Sequence, residues 1–193
     1  MLGSMSSREK VRVWIEPWGA DDQPVLERSN TPEMTQFLGG PETPGQIVAR
    51  QAKFLRLWES GEARMFTIHA EGIAEAVGSV GYWTTSWHDV HVYESGWSVA
   101  TAYQGHGFAS QGLSACLDHA ADHGDRDVVV AFPRVDNTAS NALCLALGFD
   151  LSGVEDFEYP PGTPIRVNAW RYDLVALRSR PRPGGDATST LQE

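Results

Sequence analysis

Hydrophobic and polar residues alternate along the chain with two different periods. Seven segments have the composition and period of strands: 11–15, 65–69, 76–84, 93–100, 128–132, 149–159 and 167–174. The run at 128–132 is apolar throughout, which is typical of a strand buried on both faces. A hairpin through Glu71-Gly72 is expected to join the second and third strands.

Helical spacing of apolar residues occurs between these strands. Four segments show it: 24–28, 45–58, 108–123 and 137–147. Gly61 is expected to end the second helix, while Asn137 and Gly148 are a typical N-cap and C-terminal stop for the last. Strands and helices follow each other without a linker, so the sequence predicts one domain of mixed α/β class.

Composition limits the setting and the partners. We expect a flexible tag or leader at 1–10, the domain at 11–178 and a disordered tail at 179–193, where Pro, Gly and small polar residues accumulate. The formal net charge of −10 disfavours nucleic acid and suits a cationic partner, although acidic proteins are also simply soluble. Two cysteines and no membrane-length apolar run favour a cytoplasmic protein without a membrane partner.

The segment Gln104-Gly105-His106-Gly107-Phe108-Ala109-Ser110 carries the clearest chemistry. It lies between a predicted strand and a predicted helix, so its glycines allow a sharp turn and the helix dipole favours an anion such as a pyrophosphate. One alternative is a dinucleotide-binding turn, but Ser110 stands where a third glycine is expected. The other alternative is a purely structural turn.

Three motifs together resemble the GNAT acetyltransferase superfamily. Gln104, Gly107 and Ala109 fill its [Gln/Arg]-x-x-Gly-x-[Gly/Ala] loop, and Asn137-x-x-Ser140 with Gly148-Phe149 is similar to its next helix. Glu94-Ser95-Gly96-Trp97 resembles a strand of the branch that acetylates ribosomal-protein N-termini. The resemblance implies a central mixed, mostly antiparallel twisted sheet flanked by helices. It also implies a splayed strand pair that forms a cleft for acetyl-CoA.

The same resemblance implies which residues contact the cofactor. We expect backbone groups of the strand to pair with the pantetheine arm, the loop to bind the pyrophosphate, and the following helix to contribute its first turn. The expected contacts are Trp97, Ser98, Val99, Gln104, Gly105, His106, Gly107, Phe108, Ala109, Ser110, Asn137 and Ser140. Asn137 has the simpler alternative role of a helix cap.

The resemblance further implies direct transfer from thioester to amine, without an acyl-enzyme. Glu94 is then the candidate base, against the alternative of an ordinary surface or salt-bridged strand residue. Cys144 stands where many relatives carry a tyrosine acid, and core packing is the expectation for it. Ser140 is therefore the candidate partner of the leaving sulfur.

Aromatic and acidic residues indicate where the amine binds. Aromatic rings beside carboxylates suit an ammonium group, although a core with a solvated acidic edge explains the same composition. The candidate substrate residues are Trp83, Trp87, Glu94, Glu155, Asp156 and Glu158. His119 and His123 have zinc-like i, i+4 spacing but no third ligand in sequence, so we predict a solvated polar face and no metal.

The sequence favours acetylation of a small polar amine, such as an aminoglycoside-like antibiotic, which would imply a role in antibiotic resistance. One alternative is acetylation of a protein N-terminus, which needs an open groove rather than a closed pocket. A second alternative is a non-catalytic acyl-CoA-binding module. The oligomeric state, including a homodimer, stays open.

Overall fold

The computed structural model describes residues 11–180, so the predicted leader (1–10) and the predicted tail from 181 onward lie outside it. Seven strands form one sheet in the order β1-β2-β3-β4-β5-β7-β6. The strands are β1 (Val13–Pro17), β2 (Ala63–Ala70), β3 (Gly78–Trp87), β4 (Val90–Val99), β5 (Val128–Ala131), β6 (Asp150–Glu158) and β7 (Pro164–Asp173). Only the β4–β5 pair is parallel, which confirms the mixed, mostly antiparallel sheet.

Six helices flank this sheet in the described part of the chain. They are α1 (Gln23–Ser29), α2 (Pro32–Thr35), α3 (Pro44–Ser60), α4 (Phe108–His123), α5 (Thr138–Leu147) and α6 (Leu174–Arg178). The four predicted helices are confirmed as α1, α3, α4 and α5. Gly61 and Gly148 end α3 and α5 in the left-handed conformation, with φ of 80° and 84°, as their positions predict.

Two short helices were not predicted. α2 begins at Pro32 behind an N-cap Thr31, whose side chain accepts from the N–H of Met34. Thr31 followed by Pro32 is a typical start of a helix, but a helix of one turn is too short to show an apolar periodicity. The last strand was predicted to run to Leu174 and ends instead at Asp173, because the Asp173 carboxylate caps α6 by accepting from the N–H groups of Val175 and Ala176.

The apolar residues divide between the two faces of the sheet. The larger core lies under α4 and includes Phe66, Leu113 and Val129, while a smaller cluster under α1 and α3 includes Trp18 and Ile47. Helices α1 and α3 pack on the part of the sheet formed by β2 and β3. On the face where α1 and α3 pack, the strands β4, β5, β7 and β6 carry the polar and aromatic side chains around Glu94 and Glu155.

The β3–β4 hairpin is longer than its apolar pattern predicted. It extends to Trp87 and Val90 and turns through His88 and Asp89, whose φ values of 49° and 61° are those of a type I′ turn. The polar residues at its tip hide this extension from a hydrophobic pattern. As a result, Trp87 lies in a strand and projects from the same face as Trp83.

Candidate active site

The loop before α4 has the geometry of an anion site. Gly105 and Gly107 have φ of 77° and 78°, which few residues other than glycine adopt readily. Gly107 is the N-cap of α4 and supplies no side-chain cap, and the first intrahelical bond runs from Gln111 N–H to Gly107 C=O. The preceding N–H groups of the first turn, those of Phe108, Ala109 and Ser110, can therefore donate to an anion at the positive end of the helix dipole.

Three side chains of the same loop make contacts that stabilise its shape. Gln104 donates through Nε2 to the C=O of Val99 at 2.9 Å, which ties the loop to the end of β4. His106 Nδ1 lies 2.8 Å from the C=O of Gln104, and its ring stacks on that of Phe108. Phe108 itself is buried in the core. The backbone N–H groups at the start of α4 are thus the anion donors that the conformation of the loop supplies.

Strands β4 and β5 separate beside this loop. They pair only at Tyr93 with Val129 and Glu94 with Val130, although β4 continues to Val99. The β3–β4 register runs from Val90 to Val99 without a shift, so β4 has no bulge against β3. The slot forms because the pairing of β4 with β5 ends early. This confirms the predicted splayed pair.

Backbone groups along β4 point alternately to its two neighbours. The N–H of Ala100 donates to the C=O of Val77 on the β3 side, which places the backbone groups of Ser98 on that side too. Trp97 and Val99 then present theirs to the slot. Of the three residues predicted to pair with an extended arm, Ser98 faces the other way, and its hydroxyl lies 3.1 Å from that of Ser79.

Glu94 is half-buried where β4 and β5 separate. Its register partner on β3 is Trp83, and the indole Nε1 donates to Glu94 Oε2 at 3.2 Å. Burial raises the pKa of Glu94, and the hydrogen bond from Trp83 opposes this effect only in part. Glu94 can therefore exchange a proton nearer to neutral pH than an exposed glutamate does.

The first turn of α5 follows β5 through the loop 132–137. Asn137 Oδ1 accepts from Ser140 N–H at 3.1 Å, so the amide oxygen caps the helix. Ser140 is partly exposed. Cys144 is fully buried, and burial raises the pKa of its thiol to about 12, which fits core packing.

Asn141 connects three elements of the fold and was not among the residues predicted from the sequence. Its Nδ2 donates to the C=O of Arg134 and of Asn137, while its Oδ1 accepts from Asn168 and Trp170. One side chain therefore joins α5, the β5–α5 loop and β7. The only signal was an asparagine one turn after the N-cap asparagine, and that pattern does not reveal partners on a distant strand.

Trp87 and Glu155 come together on the same face of the sheet as Glu94. The indole Nε1 of Trp87 donates to both carboxylate oxygens of Glu155, at 3.1 and 3.3 Å, and His88 Nε2 lies 3.0 Å from Oε1. Phe132 packs 6.4 Å from the Trp87 ring and stacks on Phe157 at 5.6 Å. The hairpin tip thus bridges to β6 beside an aromatic cluster.

Two of the predicted substrate residues lie elsewhere. Asp156 projects from the opposite face of β6, is 97% exposed in its side chain and lies 3.9 Å from Arg166. Glu158 accepts from the N–H of Gly162 and stabilises the β6–β7 turn. The period of two along a strand separates Asp156 and Glu158 from Glu155, which the run of acidic residues in the sequence concealed.

A second set of contacts joins the segment after α2 to the β5–α5 loop and to the β6–β7 turn, and it was not predicted. The Arg134 guanidinium lies 5.6 Å from the centre of the Phe37 ring and forms two hydrogen bonds to Asp136. Gly39 approaches Pro160 so closely that a Cβ there would lie 2.7 Å from its Cδ. These contacts join residues about a hundred positions apart, so no local pattern could indicate them.

His119 and His123 lie together on α4, with ring centroids 4.5 Å apart. Within residues 11–180 no three His, Cys, Asp or Glu side chains are grouped to hold a metal ion. The predicted solvated face is wrong for His119, which is half-buried against Phe66 and whose Nδ1 lies 2.9 Å from the hydroxyl of Tyr82. Burial lowers the pKa of His119, which favours the neutral ring.

No helix within the described residues has both the length and the apolar content needed to cross a membrane.

Comparison with known proteins agrees with this geometry. The chain is 24% identical over 161 residues to the uncharacterized N-acetyltransferase YoaA of Bacillus subtilis (strain 168), covering 82% of the chain and 89% of the relative. It superposes with a TM-score of 0.71 on the Salmonella typhimurium acetyl transferase that modifies the N-terminal serine of ribosomal protein L7/L12. That pair is 24% identical and covers 83% and 94% of the two chains.

A second solved structure has a similar fold. Spermidine N-acetyltransferase from Vibrio cholerae, in complex with CoA and spermine, superposes with a TM-score of 0.69 at 16% identity, covering 84% and 96% of the two chains. The family model for the acetyltransferase (GNAT) domain matches residues 12–150, well over half of the chain. The chain therefore belongs to the GNAT acetyltransferase family and is an acyltransferase that uses acetyl-CoA as its cofactor.

Proposed function

We propose that this enzyme acetylates a primary amine of a small, polar, cationic acceptor, of which an aminoglycoside-like antibiotic is one example. The observation that carries the proposal is Glu94, a half-buried carboxylate at the point where β4 and β5 separate. Within residues 11–180 no lysine or arginine forms an ion pair with it. An ammonium group entering the cleft supplies the missing counter-charge.

The residues of the cleft have separate roles in binding and in proton transfer. The N–H groups of 107–110 bind the pyrophosphate, and the backbone of Trp97 and Val99 orients the pantetheine arm as an added strand. Bound acetyl-CoA supplies the thioester carbonyl that the amine attacks. Glu94 takes a proton from the ammonium, directly or through water, so that the nitrogen lone pair becomes available.

Ser140 is the proposed partner of the leaving sulfur. The thiolate needs a hydrogen-bond donor or a proton as the carbon–sulfur bond breaks, and a hydroxyl at the start of α5 can supply a hydrogen bond. Cys144 is too deeply buried for that role, since it has no exposed surface. The second proton that the attacking nitrogen loses passes to the departing sulfur, which leaves as a thiol, and the proton that Glu94 accepted returns to solvent when the product leaves.

Two sets of side-chain contacts between distant segments favour a small acceptor over a peptide. Trp87 and His88 bridge to Glu155 at one side, and Phe37 covers Arg134 at the other. Acetylation of a protein N-terminus is the second candidate, because the Salmonella typhimurium structure of similar fold acts on the N-terminal serine of L7/L12. Membership of an acyltransferase family disfavours the non-catalytic module.

A screen of thiol release separates these candidates. Acetyl-CoA is offered with simple primary amines, aminoglycosides and peptides with free N-termini, and free CoA thiol is measured. We expect turnover with small cationic amines at lower KM than with neutral peptides. Turnover confined to peptides would favour the second candidate, and measurable acetyl-CoA binding without turnover of any acceptor would contradict the proposal.

A further inference from the structure

Two carboxylates on one face of the sheet are each held by a tryptophan of β3. Trp83 Nε1 donates to Glu94 at 3.2 Å, and Trp87 Nε1 donates to Glu155 at 3.1 Å. We propose that Glu155 is a second cation subsite, so that the preferred acceptor carries two cationic groups, one at each carboxylate. This inference rests on the proposed function, because Glu94 receives the amine that is acetylated.

The spacing of the two tryptophans sets the length of the acceptor. They lie four residues apart on one strand, so they project from the same face at a separation on the order of 13 Å. Each hydrogen-bonds a carboxylate that belongs to another strand, Glu94 on β4 and Glu155 on β6. The acceptor nitrogens must therefore be separated by several carbon atoms, and a very short diamine cannot reach both carboxylates.

The surroundings of Glu155 suit an organic cation. Its carboxylate stays accessible, with 29% of the side chain exposed, while Trp87 and His88 hold it in place. The rings of Trp87, Phe132 and Phe157 lie beside it in one cluster. A carboxylate beside aromatic faces binds an ammonium by ion pairing and by cation–π attraction together.

In the part of the chain that the structure describes, no lysine or arginine competes for this position. Among the ion pairs of residues 11–180, Glu155 has His88 as its partner, and neither it nor Glu94 is paired with a lysine or arginine. Apart from His88 beside Glu155, the groups that hydrogen-bond the two carboxylates are uncharged tryptophan N–H donors. A ligand with two positive charges matches this arrangement, whereas a monoamine satisfies only the Glu94 end.

Diamines of graded length test the second subsite. Steady-state thiol release is measured for α,ω-diamines from ethylenediamine to dodecamethylenediamine. Each is compared with the amino alcohol of equal length, which keeps the reacting amine and replaces the second ammonium by a neutral hydroxyl. We expect KM for the best diamine to be about tenfold lower than for its amino alcohol. Ethylenediamine should show no such advantage.

Two variants assign the effect to one carboxylate. Glu155→Gln should remove the diamine advantage, so that KM for each diamine becomes equal to KM for its amino alcohol. Asp156→Asn is the matched control, because it removes the same charge from the adjacent residue on the opposite face of β6. Trp87→Phe keeps the aromatic ring and removes the N–H donor, so it should weaken the advantage without abolishing it.

The outcomes separate this inference from the proposed function. Equal KM values for diamines and amino alcohols at every length would overturn the second subsite and leave amine acetylation intact. Loss of the advantage in Asp156→Asn as well as in Glu155→Gln would also overturn the second subsite, since bulk charge would then explain the effect. Intact acetyl-CoA binding with no turnover of any amine would overturn the proposed function, and the second subsite with it.

Discussion

The indole ring of Trp83 occupies the space above Gly96, so that a Cβ on Gly96 would lie 3.0 Å from Cη2 of the ring. Such a contact is tighter than most real Cβ contacts, and the glycine lets the ring lie across β4 with Nε1 aimed at Glu94. The spacing Glu94-x-Gly96 therefore has a physical reason. Gly96 makes room for the tryptophan that orients the proposed base.

Gly96→Ala should lower turnover through this contact. The added methyl group displaces the Trp83 ring and with it the donor to Glu94, so we expect kcat to fall by about tenfold, the equivalent of about 1.4 kcal/mol. Acetyl-CoA affinity should stay within about twofold, because the loop at 104–110 is untouched. Gly45→Ala is the control, since nothing lies within 4 Å of a Cβ there. Unchanged kcat in Gly96→Ala would contradict a positioning role for Trp83.

Glu94→Gln should lower kcat by about a hundredfold or more, the typical contribution of a general base, with little effect on acetyl-CoA affinity. An unchanged rate would remove Glu94 from the mechanism. The same variant should raise Tm at neutral pH. The folded-state pKa of Glu94 is raised by burial, so its contribution to stability is complete below the unfolded-state pKa and is lost as pH rises through the folded-state pKa.

The neutral side-chain amide in Glu94→Gln does not lose stability through ionisation. Each kcal/mol of unfolding free energy that is regained corresponds to about 2–4 °C in Tm for a domain of this size. Thermal unfolding at pH 7 measures the effect. Glu59→Gln, at an exposed position of α3, should change neither kcat nor Tm. A lower Tm for Glu94→Gln at neutral pH would indicate that the carboxylate stabilises the fold.

The pH dependence of kcat/KM should report the same group. A base acts only when ionised, so kcat/KM for the amine should fall as pH drops through the raised pKa of Glu94 in the free enzyme. That acid limb should lie above about 4.3, the ordinary value for a glutamate. Acetyl-CoA affinity measured over the same range is the control. An acid limb that persists unchanged in Glu94→Gln would assign it to another group.

Gly107→Val should abolish acetyl-CoA binding while the fold persists. A β-branched residue is strained at φ of 78°, and relief of that strain moves the N–H groups that start α4. Gly72→Val is matched, because Gly72 has φ of 83° in the β2–β3 connection, away from the loop. Calorimetric titration with acetyl-CoA should detect binding to Gly72→Val alone. Normal binding by Gly107→Val would refute the anion-site assignment.

Ser140 and Cys144 lie on the same helix and should behave differently. Ser140→Ala is expected to lower kcat by about tenfold, because the departing sulfur loses a hydrogen bond. Cys144→Ala should keep kcat and lower the free energy of unfolding by about 1–2 kcal/mol, since it leaves a small cavity in the core. Denaturant unfolding and thiol-release rates measure the two effects. A larger loss of kcat in Cys144→Ala would place the thiol in the chemistry.

Much of the fold followed from local patterns. Periodicity located the seven strands, and cap residues such as Asn137 and Gly148 located helix ends, because both depend on interactions within a few residues. The patterns failed where distant residues decide the structure. Two examples are the contact of Phe37 with Arg134 and the hydrogen bond between Asn141 of α5 and Asn168 of β7. Both join residues far apart in the chain, and no periodic pattern in the sequence indicates them.

The sequence by itself determined the cofactor end of this protein. The loop at 104–110 presents backbone N–H groups at the start of α4, and glycine spacing before a helix is enough to create that geometry. The tertiary structure alone decided the proposed acceptor site. Glu94, Trp83, Trp87 and Glu155 come from three strands, and only the pairing of the sheet and the period of two place them on one face, with Asp156 on the other. The backbone conformation of a residue depends mainly on its neighbours in the chain. The contacts of its side chain depend on strands that are far away in sequence.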